Sequence, residues 1–176
     1  CSNLKSVSIP NTVTIIGHDA FAWSSLESVK IPNSVTSLGE YAFAFGQELT
    51  SVSIGSGLKD IPDYAFAYCY MLEDVIINEG VNTIGEYAFS ECSAIENIVI
   101  PDSVTKIKSH AFYDMYCLEN LTLGNNLATI GDKAFGLTPI KTIKIPASVT
   151  YISRNAFDYC YNLSSINVDE GNQFYA

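Results

Sequence analysis

The sequence predicts an α/β solenoid: a chain wound into stacked coils, mostly β with short helical turns and one parallel sheet of about eight strands. Three observations predict it. An Ala-Phe pair recurs at Phe21, Phe43, Phe66, Phe89, Phe112, Phe135 and Phe157, spaced by 22 or 23 residues. A strand-like motif, L-x-x-V-x-I, recurs at the same period, as does a shorter motif, V-x-x-I-G. Self-similarity at a fixed period of this length marks a repeat architecture, in which no single unit can shield its own apolar face.

Each unit has three parts. The first runs Leu4/Val7/Ile9, Leu26/Val29/Ile31, Leu49/Val52/Ile54, Leu72/Val75/Ile77, Ile95/Ile98/Ile100, Leu118/Leu121/Leu123, Ile140/Ile143/Ile145 and Leu163/Ile166/Val168. Alternation with β-branched residues reads as a strand with one buried face. Pro10, Pro32, Pro101 and Pro146 end it, because proline has no N–H for the next strand. Eight such strands stacked in parallel span about 34 Å. The second part, such as Val35/Leu38-Gly39 or Val81/Ile84-Gly85, is too short for a helix and reads as a second, weaker strand, its glycine turning the chain onward. The third carries the Ala-Phe pair behind Glu40, Asp63, Glu86 or Asp132. Carboxylates there suit the start of a short helical turn, and the Phe fills the core. About six apolar side chains per coil, at roughly 1.5–3 kcal/mol each, supply the stabilisation.

Apolar residues make up 48% of the 176 and charged residues 16%, with a net charge of −10. The chain can therefore bury a continuous core. Its acidity disfavours nucleic acid and anionic membranes, and no apolar run is long enough to span a bilayer. The chain reads as one solenoid domain, residues 1–176, and as a fragment of a longer protein, since the pattern opens in mid-unit and stops before another Ala-Phe.

Counted back from the leucine, one column holds Cys1, Trp23, Gly46, Cys69, Cys92, Met115, Leu137 and Cys160. This reads as a buried apolar column in which cysteine is a small hydrophobe. The competing reading is a disulfide between Cys69 and Cys92, which fall in adjacent coils. No C-x-x-C is present and the two histidines lie in different columns, so no metal or cofactor site is expected.

The unit C-x-x-L-x-x-V-x-I-P-x-S-V-T-x-I-G-x-x-A-F resembles the BspA-like class of leucine-rich repeats. Seven copies and an eighth strand cover nearly the whole chain. The commoner leucine-rich pattern has Asn after the strand, where this chain has Thr12, Ser34, Gly57, Gly80, Ser103, Asn126 and Ser148. The resemblance implies a right-handed superhelix. It also implies an extracellular or surface-attached microbial protein with an adhesive role toward host matrix or cell-surface proteins.

The outward strand residues form the natural binding face of a solenoid. One column reads Ser6, Ser28, Ser51, Asp74, Asn97, Asn120, Thr142, Ser165; the next reads Ser8, Lys30, Ser53, Ile76, Val99, Thr122, Lys144, Asn167. The candidate partner patch is Asp74, Ile76, Asn97, Val99, Asn120 and Thr122, against a plain solvated sheet face. Beside it Glu73, Glu96 and Glu119 stack in successive coils, where like charges repel and a basic partner or cation would offset them. A flat carboxylate stripe lacks the six to eight oxygens calcium wants. Tyr41, Tyr64 and Tyr87 share a column, while Tyr68, Tyr70, Tyr116, Tyr159 and Tyr161 flank the cysteines; they either cover the core edge or bind glycans. Asn120-Leu-Thr122 and Asn162-Leu-Ser164 match the glycan-acceptor pattern. No nucleophile stands beside His18 or His110, and no phosphate loop, H-E-x-x-H or G-x-S-x-G occurs. The reading is a non-catalytic, monomeric protein-binding domain, with a passive spacer or a glycan-binding module as alternatives.

Overall fold

The structure is a computed structural model and describes residues 2–175, so the expectation for Cys1 lies outside the described residues. Strands of two lengths alternate along the chain: β1 (Ile15–Ile16), β2 (Ser28–Ile31), β3 (Ser37–Leu38), β4 (Ser51–Ile54), β5 (Asp60–Ile61), β6 (Asp74–Ile77), β7 (Thr83–Ile84), β8 (Asn97–Val99), β9 (Lys106–Ile107), β10 (Asn120–Thr122), β11 (Thr129–Ile130), β12 (Thr142–Ile145), β13 (Tyr151–Ile152) and β14 (Ser165–Val168). All pairings are parallel and join equivalent residues of successive coils, as in Val29↔Val52↔Val75 and Ile61↔Ile84↔Ile107.

The longer strands before β14 alternate outward and inward, as in β2, where Ser28 and Lys30 are exposed and Val29 and Ile31 buried. The expected single sheet is divided into β2–β4–β6, β8–β10 and β12–β14, and the first unit contributes no long strand. With three or four residues per strand, losing one bridging pair separates a ladder. The backbone still joins the coils on either side of each break: Thr105 N–H donates to the Asn82 carbonyl at 2.9 Å and Thr150 N–H to that of Ala128 at 3.0 Å. The shorter strands form β5–β7–β9–β11–β13 and β1–β3, as the V-x-x-I motif predicts.

The core is one continuous column. Phe43, Phe66, Phe89, Phe112 and Phe135 are fully buried. Successive rings from Phe21 to Phe157 lie parallel, with centroids 5.2–5.7 Å apart.

The third part of each unit differs from expectation. No helix occurs among the described residues. Overlapping turns take its place, as where Ala65 N–H donates to Pro62 O and Ala67 N–H to Tyr64 O. The intervening N–H groups point along the solenoid, as Phe66 N–H does to the Ala88 carbonyl at 2.9 Å. This geometry places the residues two before and two after the phenylalanine at positive φ in six coils, and only the residue two after it in the Phe157 coil. Tyr64 (φ 59°) and Tyr68 (φ 63°) are examples among thirteen. A turn with positive φ at its third residue matches the type II pattern, which favours glycine there. Stacking of the side chains at these positions helps offset the strain.

The two aspartates before the Ala-Phe pair, Asp63 and Asp132, bond across coils instead of capping helices. Asp63 accepts from Glu86 N–H at 2.7 Å and from Lys108 Nζ at 3.0 Å. Gly85 is required by close approach, not by φ: an added Cβ would lie 2.5 Å from the backbone of Pro62.

The cysteine column needs one correction. Cys69, Cys92 and Met115 are buried as expected, but Trp23 is 57% exposed and Leu137 half-buried. The 22-residue spacings follow Phe21 and Phe135, and each of these coils has one residue fewer between its phenylalanine and the next leucine. Counting forward from the phenylalanine, the buried place in these coils falls to Ser24 and Thr138. Cys69 and Cys92 are free thiols. Their Sγ atoms donate to the carbonyls of Phe43 and Phe66, both at 3.2 Å, and burial pushes the Cys92 thiol well up.

Candidate functional site

The outward residues of the long strands form the concave face. Each is placed by alternation: the neighbour that points inward is held in the core, so its own side chain must point to water. Ser28, Ser51 and Asp74 are in register, as are Asn97 with Asn120 and Thr142 with Ser165. Asn120 Nδ2 donates to Asn97 Oδ1 at 2.7 Å. Ile76 and Val99, on successive strands, are 58% and 63% exposed.

An open groove of about 1050 Å³ crosses this face, lined by Glu73, Asp74, Ile76, Glu96 and Asn97 together with the β2 and β4 residues beside them. Val99 and Thr122 line a second hollow of about 540 Å³, with Lys144 and Asp169 at its far side. The structure thus brings five of the nine candidate residues into one groove and two into its neighbour. Asn120 and Glu119 line neither. Asn120 is engaged with Asn97, and Glu119 lies 3.5 Å from Lys141 Nζ, which relieves one end of the carboxylate stripe. Lys30 and Cys117 also line the main groove. Lys30 was legible as a member of the same outward column; Cys117 was not, because it belongs to the turn before β10.

Of the eight tyrosines singled out, seven divide into two sets, and Tyr68 stacks on Phe45 at 4.8 Å. Tyr41, Tyr64 and Tyr87 stack at 4.6 and 4.9 Å, and His110 continues the stack at 4.5 Å. Burial of His110 lowers its pKa below the usual histidine value. These half-buried rings cover the core edge. A second set stands out from the surface: Tyr70, Tyr116, Tyr159 and Tyr161 are exposed. Beside them, burial and then the charge of Asp114 raise Glu91 above the usual carboxylate range.

His18 stands by Asp19 and 3.8 Å from Glu40, remote from His110. Among the described residues no three His, Cys, Asp or Glu side chains converge as a metal site. No helix among them is long and apolar enough to cross a membrane.

Comparison with known proteins gives a consistent pattern. The model of the BspA type leucine rich repeat region (6 copies) matches residues 1–116 and 82–175. A leucine-rich repeat protein from Bacteroides ovatus has a TM-score of 0.82 and 28% identity, over 96% of this chain and 50% of that one. A leucine rich cell surface protein from Faecalibacterium prausnitzii has a TM-score of 0.79 and 32% identity, over 96% and 46%. The T. pallidum leucine rich repeat protein has a TM-score of 0.68 and 25% identity, over 88% and 63%. The chain spans about half the length of the first two. No functionally curated protein matches it. Period, core and structural likeness agree with the family match, and the chain belongs to the BspA-type leucine-rich repeat family.

Proposed function

We propose that this chain is a non-catalytic, protein-binding domain of adhesion type, monomeric, and carried by a bacterial surface or secreted protein. Its contact surface is the concave face around Asp74, Ile76, Asn97, Val99, Asn120 and Thr122, with Glu73, Glu96 and Glu119 along one side. The observation that carries the reading is the pair of exposed apolar residues Ile76 and Val99, at equivalent places on neighbouring coils within a polar strand face, Ile76 lining a groove of about 1050 Å³ and Val99 the hollow next to it. A partner's apolar side chain would cover the pair while serine, asparagine and aspartate supply hydrogen bonds around it. This is the centre-and-rim arrangement of protein interfaces. The carboxylate stripe favours a basic partner. The cell-surface protein of Faecalibacterium prausnitzii among the structural relatives supports the location.

The test is capture on the immobilised chain of purified host matrix and cell-surface proteins. Saturable binding, weakened about tenfold or more by Asp74→Lys or Asn97→Lys, is the expected result. If no panel member binds, a spacer role is favoured; if binding survives both changes, the concave face is not the contact surface.

A further inference from the structure

Where the convex turns pass into the concave strands, one position per coil lies four residues after the phenylalanine. It reads Ser25, Gln47, Tyr70, Ser93, Tyr116, Pro139, Tyr161. From Tyr70 onward a tyrosine stands on every second coil, with a smaller residue between. These rings are 46%, 64% and 84% exposed, so they contribute little to the core. Two are braced by a neighbouring ring: Tyr70 meets Tyr68 edge-on at 6.4 Å, and Tyr161 is tilted against Tyr159 at 6.0 Å. Between Tyr116 and Tyr161 lies an open cleft of about 290 Å³, lined also by Leu137, Thr138 and Pro139.

We propose that this edge binds a proline-rich segment of a basic protein in the polyproline II conformation, one turn of the segment seated between successive tyrosines. The spacing carries the argument. Two coils rise about 9.6 Å at the strand spacing. One three-residue turn of polyproline II rises about 9.3 Å. The mismatch, about 0.3 Å per turn, lets two turns stay in register with three rings. Such segments dock in aromatic-lined grooves because they are already extended and lose little conformational entropy on binding.

Charge selects the flanking residues. Glu91 and Asp114 come two residues before this position in their coils, within the turns, and Glu73, Glu96 and Glu119 three residues after it, at the entry to the strands. Lys141 enters the edge only beside Glu119, with which it pairs. Lysine or arginine beside the prolines would face these carboxylates, and a cation near Glu91 would relieve a group already disfavoured by burial and by Asp114. A neutral sugar chain would stack on the rings and donate hydroxyl hydrogen bonds to the carboxylates, but would leave their negative charge unneutralised. The tyrosine edge shares the Glu73, Glu96 and Glu119 border with the concave face but includes neither Asp74 nor Asn97, so the concave-face changes and the tyrosine changes test the two readings apart.

The test is fluorescence anisotropy of the full chain with a labelled twelve-residue peptide carrying proline at every third position and one lysine per turn. A scrambled peptide of the same composition and neutral cellohexaose serve as comparison ligands. The expected result is saturable binding of the ordered peptide. It weakens about tenfold or more in Tyr116→Ala and in Tyr161→Ala and is unchanged in Asp74→Lys. Melting curves matching the parent verify that the variants fold. Failure of the ordered peptide to bind, equal binding of the scrambled one, or binding indifferent to both tyrosine changes overturns the proposal. Binding of cellohexaose in place of the peptide overturns it too, and assigns the edge to glycans.

Discussion

At the scale of single residues, the phenylalanines hold the coils together. Phe89 is fully buried between Phe66 at 5.2 Å and Phe112 at 5.5 Å. Phe89→Ala leaves a cavity with close-packed neighbours on both sides, and urea denaturation should show a loss of about 3–5 kcal/mol. A loss below about 1 kcal/mol would contradict the stacked column. Glu91 behaves oppositely. Its folded-state pKa is raised by burial and by Asp114, so the folded chain holds a proton that the unfolded chain has already released. Stability falls as pH rises through that window, and the penalty persists at neutral pH. Glu91→Gln should therefore raise Tm at pH 7, and the gain should vanish by about pH 4. Equal Tm values at pH 7 would show that the carboxylate is not penalised. The phenylalanine column was legible because its period is unbroken. The environment of Glu91 was not: its repeat position holds Trp23, Phe45, Tyr68, Asp114, Leu137 and Tyr159 in other coils, and such variety says nothing about burial.

At the scale of the coil, short polar side chains fasten each turn to its neighbours. Ser103 Oγ donates to the Val81 carbonyl at 2.7 Å and accepts from Gly80 N–H at 3.0 Å. Ser34 and Ser148 make the same donation to Val13 and Leu127 at 2.7 and 2.6 Å. Ser103→Ala strands a donor as well as an acceptor and should cost about 1–2 kcal/mol. Ser34→Ala, which loses only a donated bond, should cost less; the reverse order in matched denaturation curves would refute this account. Gly80 itself has a φ of 117°, a region that other residues enter only with strain. The sequence shows these positions as a small, variable column after the strand. Which carbonyl each hydroxyl reaches depends on the offset between coils, and no single repeat contains that offset.

At the scale of the molecule, each coil rests on its neighbours, so stability is shared along the stack and is lowest at its ends. Phe66, Phe89 and Phe112 have a coil on either side, whereas Leu4 and Val7 are only half-buried and Ile166 is 51% exposed. Ile166 occupies the repeat place of buried Val29 and Val52, but no coil beyond it among the described residues covers its side chain. Hydrogen exchange should accordingly be slowest in the coils of Phe66 to Phe112 and quicken toward both ends. Uniform protection would mean one cooperative globule instead of an array.

The sequence by itself determined the period, the identity of the core residues, the parallel stacking and the residues that face outward on the strands. These follow from a pattern copied unit to unit, and copying makes weak local signals additive. Only the tertiary structure decided that the convex segments are chained turns with positive φ instead of helical ones, and that Trp23 leaves the buried column to Ser24. It also decided that the tyrosines of alternate coils line one edge. Each of those outcomes depends on how one coil is displaced against the next, a distance in space that no spacing along the chain encodes.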